Sequence, residues 1–285
     1  MAPLQSGFAV ITPASRGIGF ALAHQLLANT SIPLIATARK NCDQVRHDLL
    51  DKVKDNAPNA KERLQVLDVD VTDESTVSAM ASTIRQFYPR AFLRLAITVP
   101  GVLHVEKSPM QIDAETALHS FKVNALGPML VMKHLSPFLP NRSSPPFQDD
   151  QETCRSAECQ WNLPTSHAIY AMMAARVGSI SDNASGGWYS YRASKASVFQ
   201  LAKTFDLYLQ IRSQERAMAI ALHPGTVQTD FTMDYRNGRK MLQPEDAATK
   251  LLQVLCTMKL GLMKDVVDVG TGGEMRFCRK LGRLG

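Results

Sequence analysis

The sequence has few cysteines and no long apolar run. Its five cysteines are scattered over 285 residues, and an odd number spaced in this way does not suggest a disulfide framework. A reducing, cytoplasmic environment is therefore expected. No run of about eighteen apolar residues is present, so a membrane-spanning helix is not predicted. The N-terminal stretch has neither a basic segment followed by an apolar one nor an Arg-rich amphipathic helix, which disfavours secretion and organelle import.

The sequence also lacks the residue clusters that bind metals or nucleic acids. Cys154 and Cys159 stand close together, but a zinc site needs four ligands and no second pair accompanies them, so no metal is predicted. The formal net charge of +6 is modest and spread along the chain, apart from a basic run near the C-terminus. Without a stripe of Arg and Lys interleaved with aromatic residues, nucleic acid is not an expected partner. A small anionic ligand would still be attracted.

Short apolar runs alternate with longer amphipathic ones along the chain. This alternation is typical of a parallel sheet covered by helices on both faces. It predicts the α/β class, with a single doubly wound Rossmann-type domain over residues 1–285. The predicted strands are FAVIT (Phe8–Thr12), PLIATA (Pro33–Ala38), LQVLDVDV (Leu64–Val71), LRLAIT (Leu93–Thr98), AIYAMM (Ala168–Met173) and AMAIALH (Ala217–His223).

One segment departs from this alternation. Residues 140–167 are rich in Pro, Ser and acidic or amide residues, and the segment is too long for an ordinary connection. Its polarity predicts a surface insertion within the one domain.

A glycine-containing turn follows the first predicted strand. The stretch TPASRGIGFALA, Thr12 to Ala23, places Gly17 and Gly19 where the chain passes into a helix. Glycines let the backbone approach a pyrophosphate, and a helix N-terminus offers free N–H donors, so dinucleotide binding is predicted. The alternative is that both glycines only tighten a turn. Pro13 stands where a glycine usually opens such a loop, and its fixed φ and missing N–H predict a different closure there.

Basic residues occupy the position that selects between NAD and NADP. In the NAD pattern an acid at the end of the second strand holds the ribose 2′-hydroxyl, but here Ala38 is followed by Arg39 and Lys40. Arg39 and Arg16 suit bidentate contact with a 2′-phosphate, so NADP(H) is the predicted cofactor. The alternative is that both arginines are simply solvated.

Five motifs occur in order along the chain: TPASRGIG (12–19), DVTD (70–73), FKVNALGP (121–128), YSYRASK (189–195) and HPGTVQTD (223–230). On these motifs the chain resembles the short-chain dehydrogenase/reductase family, most closely its branch of C-factor and sniffer-type carbonyl reductases. The family's Asn-Asn-Ala-Gly is replaced by residues 98–101, which keep only Gly101. Hydrogen bonding between strands is therefore expected to be altered at Thr98.

The resemblance implies a set of cofactor contacts. The adenine would lie beside Asp70 and Val71, and the nicotinamide end beside Pro224, Gly225, Val227 and Thr229. The remaining implied cofactor-binding residues are Thr12, Ser15, Arg16, Gly17, Ile18, Gly19, Arg39, Gly101, Asn124, Tyr191 and Lys195.

Tyr191 and Lys195 are the predicted reaction residues. They lie four apart on a predicted helix and so share one face. A phenol with a pKa of about 10 is a poor acid at neutral pH, and a neighbouring ammonium together with the positive nicotinamide ring would lower that pKa. Tyr191 would then protonate the developing alkoxide during carbonyl reduction. By family analogy, Asn124 would hold a water that relays protons to Lys195. The alternative makes Tyr191 a half-buried helix aromatic and Lys195 a surface cation.

The serine that the family uses to bind the substrate oxygen is missing. Its place reads Ala174 and Ala175, and loss of one such donor costs roughly 10²–10³ in rate at other oxyanion sites. Ser179 is the candidate replacement, although a loop hydroxyl bonded to backbone is its more ordinary role.

Two functions therefore stay open. The first is an NADP(H)-dependent oxidoreductase that reduces a small-molecule carbonyl or, in the reverse direction, oxidises the matching alcohol. The second is a catalytically impaired NADP(H)-binding protein with a regulatory or partner-binding role. The oligomeric state is also open between homodimer and monomer.

Overall fold

The computed structural model describes residues 6–53, 57, 59–148, 161–235 and 241–260, together with two short strands at 266–268 and 276–277. The strands are β1 Phe8–Thr12, β2 Leu34–Ala38, β3 Leu64–Asp68, β4 Leu93–Thr98, β5 Ala168–Met173, β6 Ala217–His223, β7 Val266–Asp268 and β8 Arg276–Phe277. The α-helices are α1 Gly17–Asn29, α2 Cys42–Val53, α3 Ala60–Arg63, α4 Glu74–Phe87, α5 Ala114–Phe121, α6 Gly127–Leu135, α7 Tyr189–Arg212 and α8 Pro244–Thr257.

All eight strands form one sheet in the order β3-β2-β1-β4-β5-β6-β7-β8. The six pairings from β3 to β7 are parallel, and β8 pairs antiparallel with β7. The chain moves outward from β1 in one direction and then returns to β4 to build the other half. This doubly wound order confirms the predicted fold class, and it creates a crevice at the carboxyl ends of β1 and β4.

The sheet separates two apolar cores. On one face α1, α2 and α8 pack against the sheet, and on the other face α4, α6 and α7 do so. Successive residues of β1 divide between them, with Val10 in the second core and Ile11 in the first. Both faces of β1 are buried, which explains why it reads as a continuous apolar run instead of an alternating one.

The six predicted strands agree with the structure except at two ends. β2 begins at Leu34 rather than Pro33, and β3 ends at Asp68, three residues before the predicted Val71. The chain turns after β3 because the Asp70 carboxylate accepts hydrogen bonds from the Thr72 N–H and hydroxyl at 2.9 and 2.7 Å. Among the described residues, no helix is both long and apolar enough to cross a membrane.

The two ends of the polar segment 140–167 are anchored to the sheet. Residues 149–160, including Cys154 and Cys159, lie outside the described residues. Phe147, Trp161 and Leu163 are buried, so the flanks of the segment contribute to the core, which the polar composition did not predict. Arg94 of β4, only 2% exposed, donates to the carbonyls of Leu163 and Gln148 at 2.6 and 3.2 Å and thereby links both flanks.

Candidate active site

The turn from Thr12 to Gly19, which the sequence predicts to bind phosphate and which we call the phosphate turn, is closed by backbone contacts. Gly17, the first residue of α1, has a φ of +57°, a conformation that favours glycine. A Cβ on Gly19 would lie 2.0 Å from the carbonyl oxygen of Pro13, so only glycine fits there. Arg16 occupies the N-cap position but makes no side-chain cap to the helix. The first N–H groups of α1 therefore keep their capacity to bind an anion.

The loop closes without the usual opening glycine. The Ala14 N–H, one residue beyond Pro13, donates to the carbonyl of Thr37 at 2.7 Å, and the Thr37 hydroxyl donates to that of Thr12 at 2.7 Å. These bonds join the turn to the end of β2. They provide the altered closure that Pro13 predicted.

The predicted 2′-phosphate residues lie at the solvent-exposed edge of this turn. Arg39 and Ser15 are exposed, and Arg16 forms an exposed ion pair with Asp230 at 3.6 Å. Partial burial raises the pKa of Asp70. Hydrogen bonds from Thr72 and the positive charge of Arg39 lower the pKa by more than burial raises it, so the net shift is downward. Arg39 therefore interacts electrostatically with Asp70. The resemblance implies that both residues contact the adenosine end of the cofactor.

Helix α7 carries Tyr191 and Lys195 into the crevice. Both side chains are buried, with 6% and 3% of their surface exposed. Lys195 Nζ donates to the carbonyl of Met173, at the end of β5, at 2.9 Å and to that of Pro100, after β4, at 3.4 Å. This burial contradicts the alternative that Lys195 is a surface cation.

Asn124 lies in a π-helical turn, Lys122–Leu126, between α5 and α6. Its Oδ1 accepts from the Val102 N–H at 2.8 Å, and its Nδ2 donates to the Val102 carbonyl at 2.9 Å and to the Ser194 hydroxyl at 3.0 Å. Ser194 in turn donates to the Tyr191 carbonyl at 2.9 Å. Asn124 therefore holds the loop after β4 against α7. The water relay predicted for this residue stays a prediction.

These groups converge on Gly101. A Cβ on Gly101 would lie 3.7 Å from Lys195 Nζ, 3.9 Å from Asn124 Oδ1 and 3.6 Å from Cε2 of Phe231. The Phe231 ring also packs beside Tyr191, with ring centroids 5.8 Å apart. The structure thus brings Gly101, Asn124, Tyr191 and Lys195 into one cluster at the carboxyl ends of β4 and β5.

Burial controls the protonation of both reaction residues. Burial raises the pKa of Tyr191 and lowers that of Lys195 from 10.5 to about 8. The sequence predicted that Lys195 would lower the pKa of Tyr191. In the protein alone desolvation is the stronger effect, because it disfavours both the phenolate and the ammonium.

Alanines stand at the end of β5, where the family would place a serine. Ala174 and Ala175 are both buried, and the Ala174 N–H donates to the Leu222 carbonyl at 2.8 Å, as a continuing strand would. Ser179 follows a short helical turn, and its Oγ lies 3.0 Å from that of the exposed Ser181. Among the described residues, the Ser179 hydroxyl makes no hydrogen bond to Tyr191 or Lys195. Its catalytic role stays a prediction.

The loop after β6 covers both ends of the crevice. Gly225 has a φ of +78°, and Val227 pairs with Leu242 beyond residues 236–240, which the structure does not describe. The side chain of Thr229 would lie 3.3 Å from a Cβ on Gly17. This loop therefore touches the phosphate turn at Thr229 and the catalytic cluster at Phe231.

Some residues of the site were missed or only partly foreseen. Thr98 donates to the Ala171 carbonyl at 3.4 Å, so a long hydrogen bond stands where an altered one was expected. Glu106, 3% exposed, and Phe231 were not selected from the sequence. Neither stands in a recognisable motif, and only the fold brings them to Tyr191.

Among the described residues, no group of His, Cys, Asp and Glu has the arrangement of a metal site.

Comparison with known families and structures identifies this architecture. The family model described as short chain dehydrogenase matches residues 7–145. A curated relative, 1-hydroxy-2-glutathionyl-2-methyl-3-butene dehydrogenase of Rhodococcus sp. (strain AD45), is 28% identical over 185 residues, which cover 65% of this chain and 68% of that protein.

Two solved structures share the fold. The carbonyl reductase Sniffer of D. melanogaster has a TM-score of 0.71 and 22% identity, covering 92% of this chain and 96% of that one. An NADPH-bound carbonyl reductase from chicken fatty liver has a TM-score of 0.72 and 23% identity, covering 92% and 95%. The chain is therefore similar to the short-chain dehydrogenase family over residues 7–145, and these two solved structures show that it shares their fold.

Proposed function

We propose that the protein reduces the carbonyl of a small ketone or aldehyde with NADPH, and that Tyr191 is the general acid. The observation that carries the proposal is the convergence of Lys195 Nζ and Asn124 Oδ1 beside Gly101, 3.7 and 3.9 Å from the position of a Cβ there. Retention of this buried, hydrogen-bonded cluster supports a reaction site. The printed names of two structural neighbours, both carbonyl reductases, support the same class of reaction.

The residues of the crevice fit a dinucleotide. The uncapped N-terminus of α1 suits the pyrophosphate, and a Cβ on Gly19 would overlap the loop that forms this cradle. Arg39 suits a 2′-phosphate, and Arg16 can join it, since its exposed ion pair with Asp230 contributes only about 0–1 kcal/mol. When bound, the cofactor supplies the hydride.

The chain's own residues would donate the proton and stabilise the charge that develops. Tyr191, whose pKa burial raises, stays protonated at neutral pH and is therefore ready to donate to the substrate oxygen. Lys195, with a pKa of about 8, is mostly charged at neutral pH and stabilises negative charge that develops on the phenolic oxygen. Asn124 would hold a water that relays protons to Lys195.

The second candidate is an NADP(H)-binding protein with little or no turnover. Ala174 and Ala175 favour it, because neither side chain carries a hydroxyl that could donate to a substrate oxygen. In that case the phosphate turn would serve a regulatory or partner-binding role.

The test is NADPH oxidation against a panel of ketones and aldehydes, with wild type and Tyr191→Phe. We expect slow wild-type turnover and at least a 10³-fold fall in kcat for the variant, since it keeps the ring but loses the proton. NADPH should raise the Tm of both proteins. If NADPH raises the Tm of the wild type but no carbonyl of the panel causes NADPH oxidation, the second candidate is favoured.

A further inference from the structure

Helix α7 begins without a cap of its own. The two residues before it, Gly187 and Trp188, both have left-handed backbone, with φ of +66° and +52°. Trp188 occupies the N-cap position, and its indole makes no cap hydrogen bond to the helix. The first N–H groups of a helix need acceptors, which a Ser, Asp or Asn at this position normally supplies. The acceptor for α7 comes instead from a distant part of the chain.

Glu106, in the loop after β4, fills this role. Its carboxylate Oε2 accepts from the Ser190 N–H, in the first turn of α7, at 2.7 Å. Its main-chain carbonyl accepts from the Trp188 N–H at 2.6 Å, and a Cβ on Gly187 would lie 3.3 Å from that oxygen. One residue therefore fixes both the left-handed turn and the start of the helix. The negative charge also suits the positive end of the helix dipole.

The geometry points to Glu106 as the positioning residue for Tyr191. Tyr191 is the third residue of α7, directly after Ser190, and the Trp188 ring meets the Tyr191 ring edge-on with centroids 6.2 Å apart. Both neighbours of the phenol are thus held by Glu106. The second carboxylate oxygen, Oε1, is buried and has no hydrogen-bond partner among the described residues. A buried carboxylate with an unpaired oxygen is costly for stability, which favours a role in the site.

This inference rests on the proposed function for its kinetic test. Glu106→Ala removes the acceptor, whereas Glu106→Gln keeps an oxygen that accepts from the Ser190 N–H and removes the charge. We expect kcat to fall about 10- to 100-fold in Glu106→Ala, because a small displacement of a reacting group has effects of that size. KM for NADPH should stay within twofold, and Glu106→Gln should recover kcat to within about threefold of wild type.

Asp113→Ala is the matched control. The Asp113 carboxylate caps α5 by accepting from the Thr116 N–H at 2.8 Å, and α5 does not carry Tyr191. Its loss should leave kcat within twofold of wild type. If Glu106→Ala and Asp113→Ala lowered kcat equally, or if Glu106→Gln were as impaired as Glu106→Ala, the positioning role would be overturned.

Tryptophan fluorescence tests the same inference without turnover. The chain has two tryptophans, so Trp161→Phe leaves Trp188 as the single reporter. In that background, Glu106→Ala should raise the acrylamide quenching constant of Trp188 at least twofold, and Glu106→Gln should leave it unchanged. Unchanged quenching in Glu106→Ala would refute the inference. A wild type inactive on every carbonyl would defeat the proposed function, while this measurement would still decide the role of Glu106.

Discussion

The two ends of the crevice are built by different physical means. At the phosphate turn the chain presents backbone, with Gly19 against Pro13, and its charged side chains, such as Arg16, lie in solvent. At the other end, which we propose to be catalytic, Asn124 and Lys195 are buried and hydrogen-bonded. Substitutions at the turn should therefore act through steric fit and cofactor affinity. Those at the catalytic end should act on proton transfer and hence on kcat.

The sharpest test of the backbone end is Gly19→Ala. Its Cβ would meet the Pro13 carbonyl oxygen at 2.0 Å, so the turn must move and lose the shape that suits a pyrophosphate. We expect NADPH affinity, measured by isothermal titration calorimetry, to fall at least 100-fold. Gly17→Ala is the comparison, because its nearest obstacle is the Thr229 side chain at 3.3 Å, although its φ of +57° adds strain. A smaller loss in Gly19→Ala than in Gly17→Ala would contradict this account.

At the catalytic end, Ala174→Ser should raise activity. The substitution restores a hydroxyl at the end of β5, and one such donor changes the rate by roughly 10²–10³ in other enzymes. We expect at least a tenfold rise in kcat with unchanged NADPH affinity. Ala175→Ser is the control for the position of the hydroxyl. Should neither substitution raise kcat, the missing serine is not what limits the reaction.

Arg39→Ala should weaken NADPH binding about tenfold and leave NADH binding unchanged. The expected loss corresponds to about 1.4 kcal/mol, the lower range for a charge-assisted hydrogen bond. Lys40→Ala, the adjacent exposed cation, is the control and should have a smaller effect. Equal losses for the two cofactors would show that Arg39 does not read the 2′-phosphate.

The sequence predicted the sheet well because its central strands are buried on both faces. β1 and β5, for example, are continuous apolar runs with the predicted bounds. Residues of the site that belong to ordered motifs, such as Tyr191 and Lys195, were also selected. Glu106 could not be found in this way, since the Ser190 N–H that it binds is 84 positions away and only the fold joins them.

Electrostatics was predicted less well than position. The four-residue spacing placed Tyr191 and Lys195 on one helix, but it carried no information on how deeply both would be buried. In the protein alone, burial raises the pKa of Tyr191, opposite to the direction expected beside Lys195 and a nicotinamide ring. Desolvation depends on every neighbouring element, so a local motif cannot supply it.

The last predicted effect concerns stability: Lys195 should make the free energy of unfolding depend on pH. Folding lowers the pKa of Lys195 from 10.5 to about 8, so between these values the unfolded chain binds more protons than the folded one. Stability should therefore rise with pH across this window, by at most about 1.4 kcal/mol per pH unit. Burial of Tyr191 opposes the rise only above a pH of about 10, where the unfolded phenol ionises.

Lys195→Met isolates this contribution. We expect the free energy of unfolding, measured with urea at pH 7.5 and 9.5, to increase by about 2 kcal/mol more in wild type than in Lys195→Met. Lys203→Met, at a partly exposed position of the same helix, is the control for the change of residue type. A wild-type increase that Lys195→Met reproduces would mean that the lysine at the catalytic end is hydrated, and the contrast between the two ends of the crevice would lose its electrostatic basis.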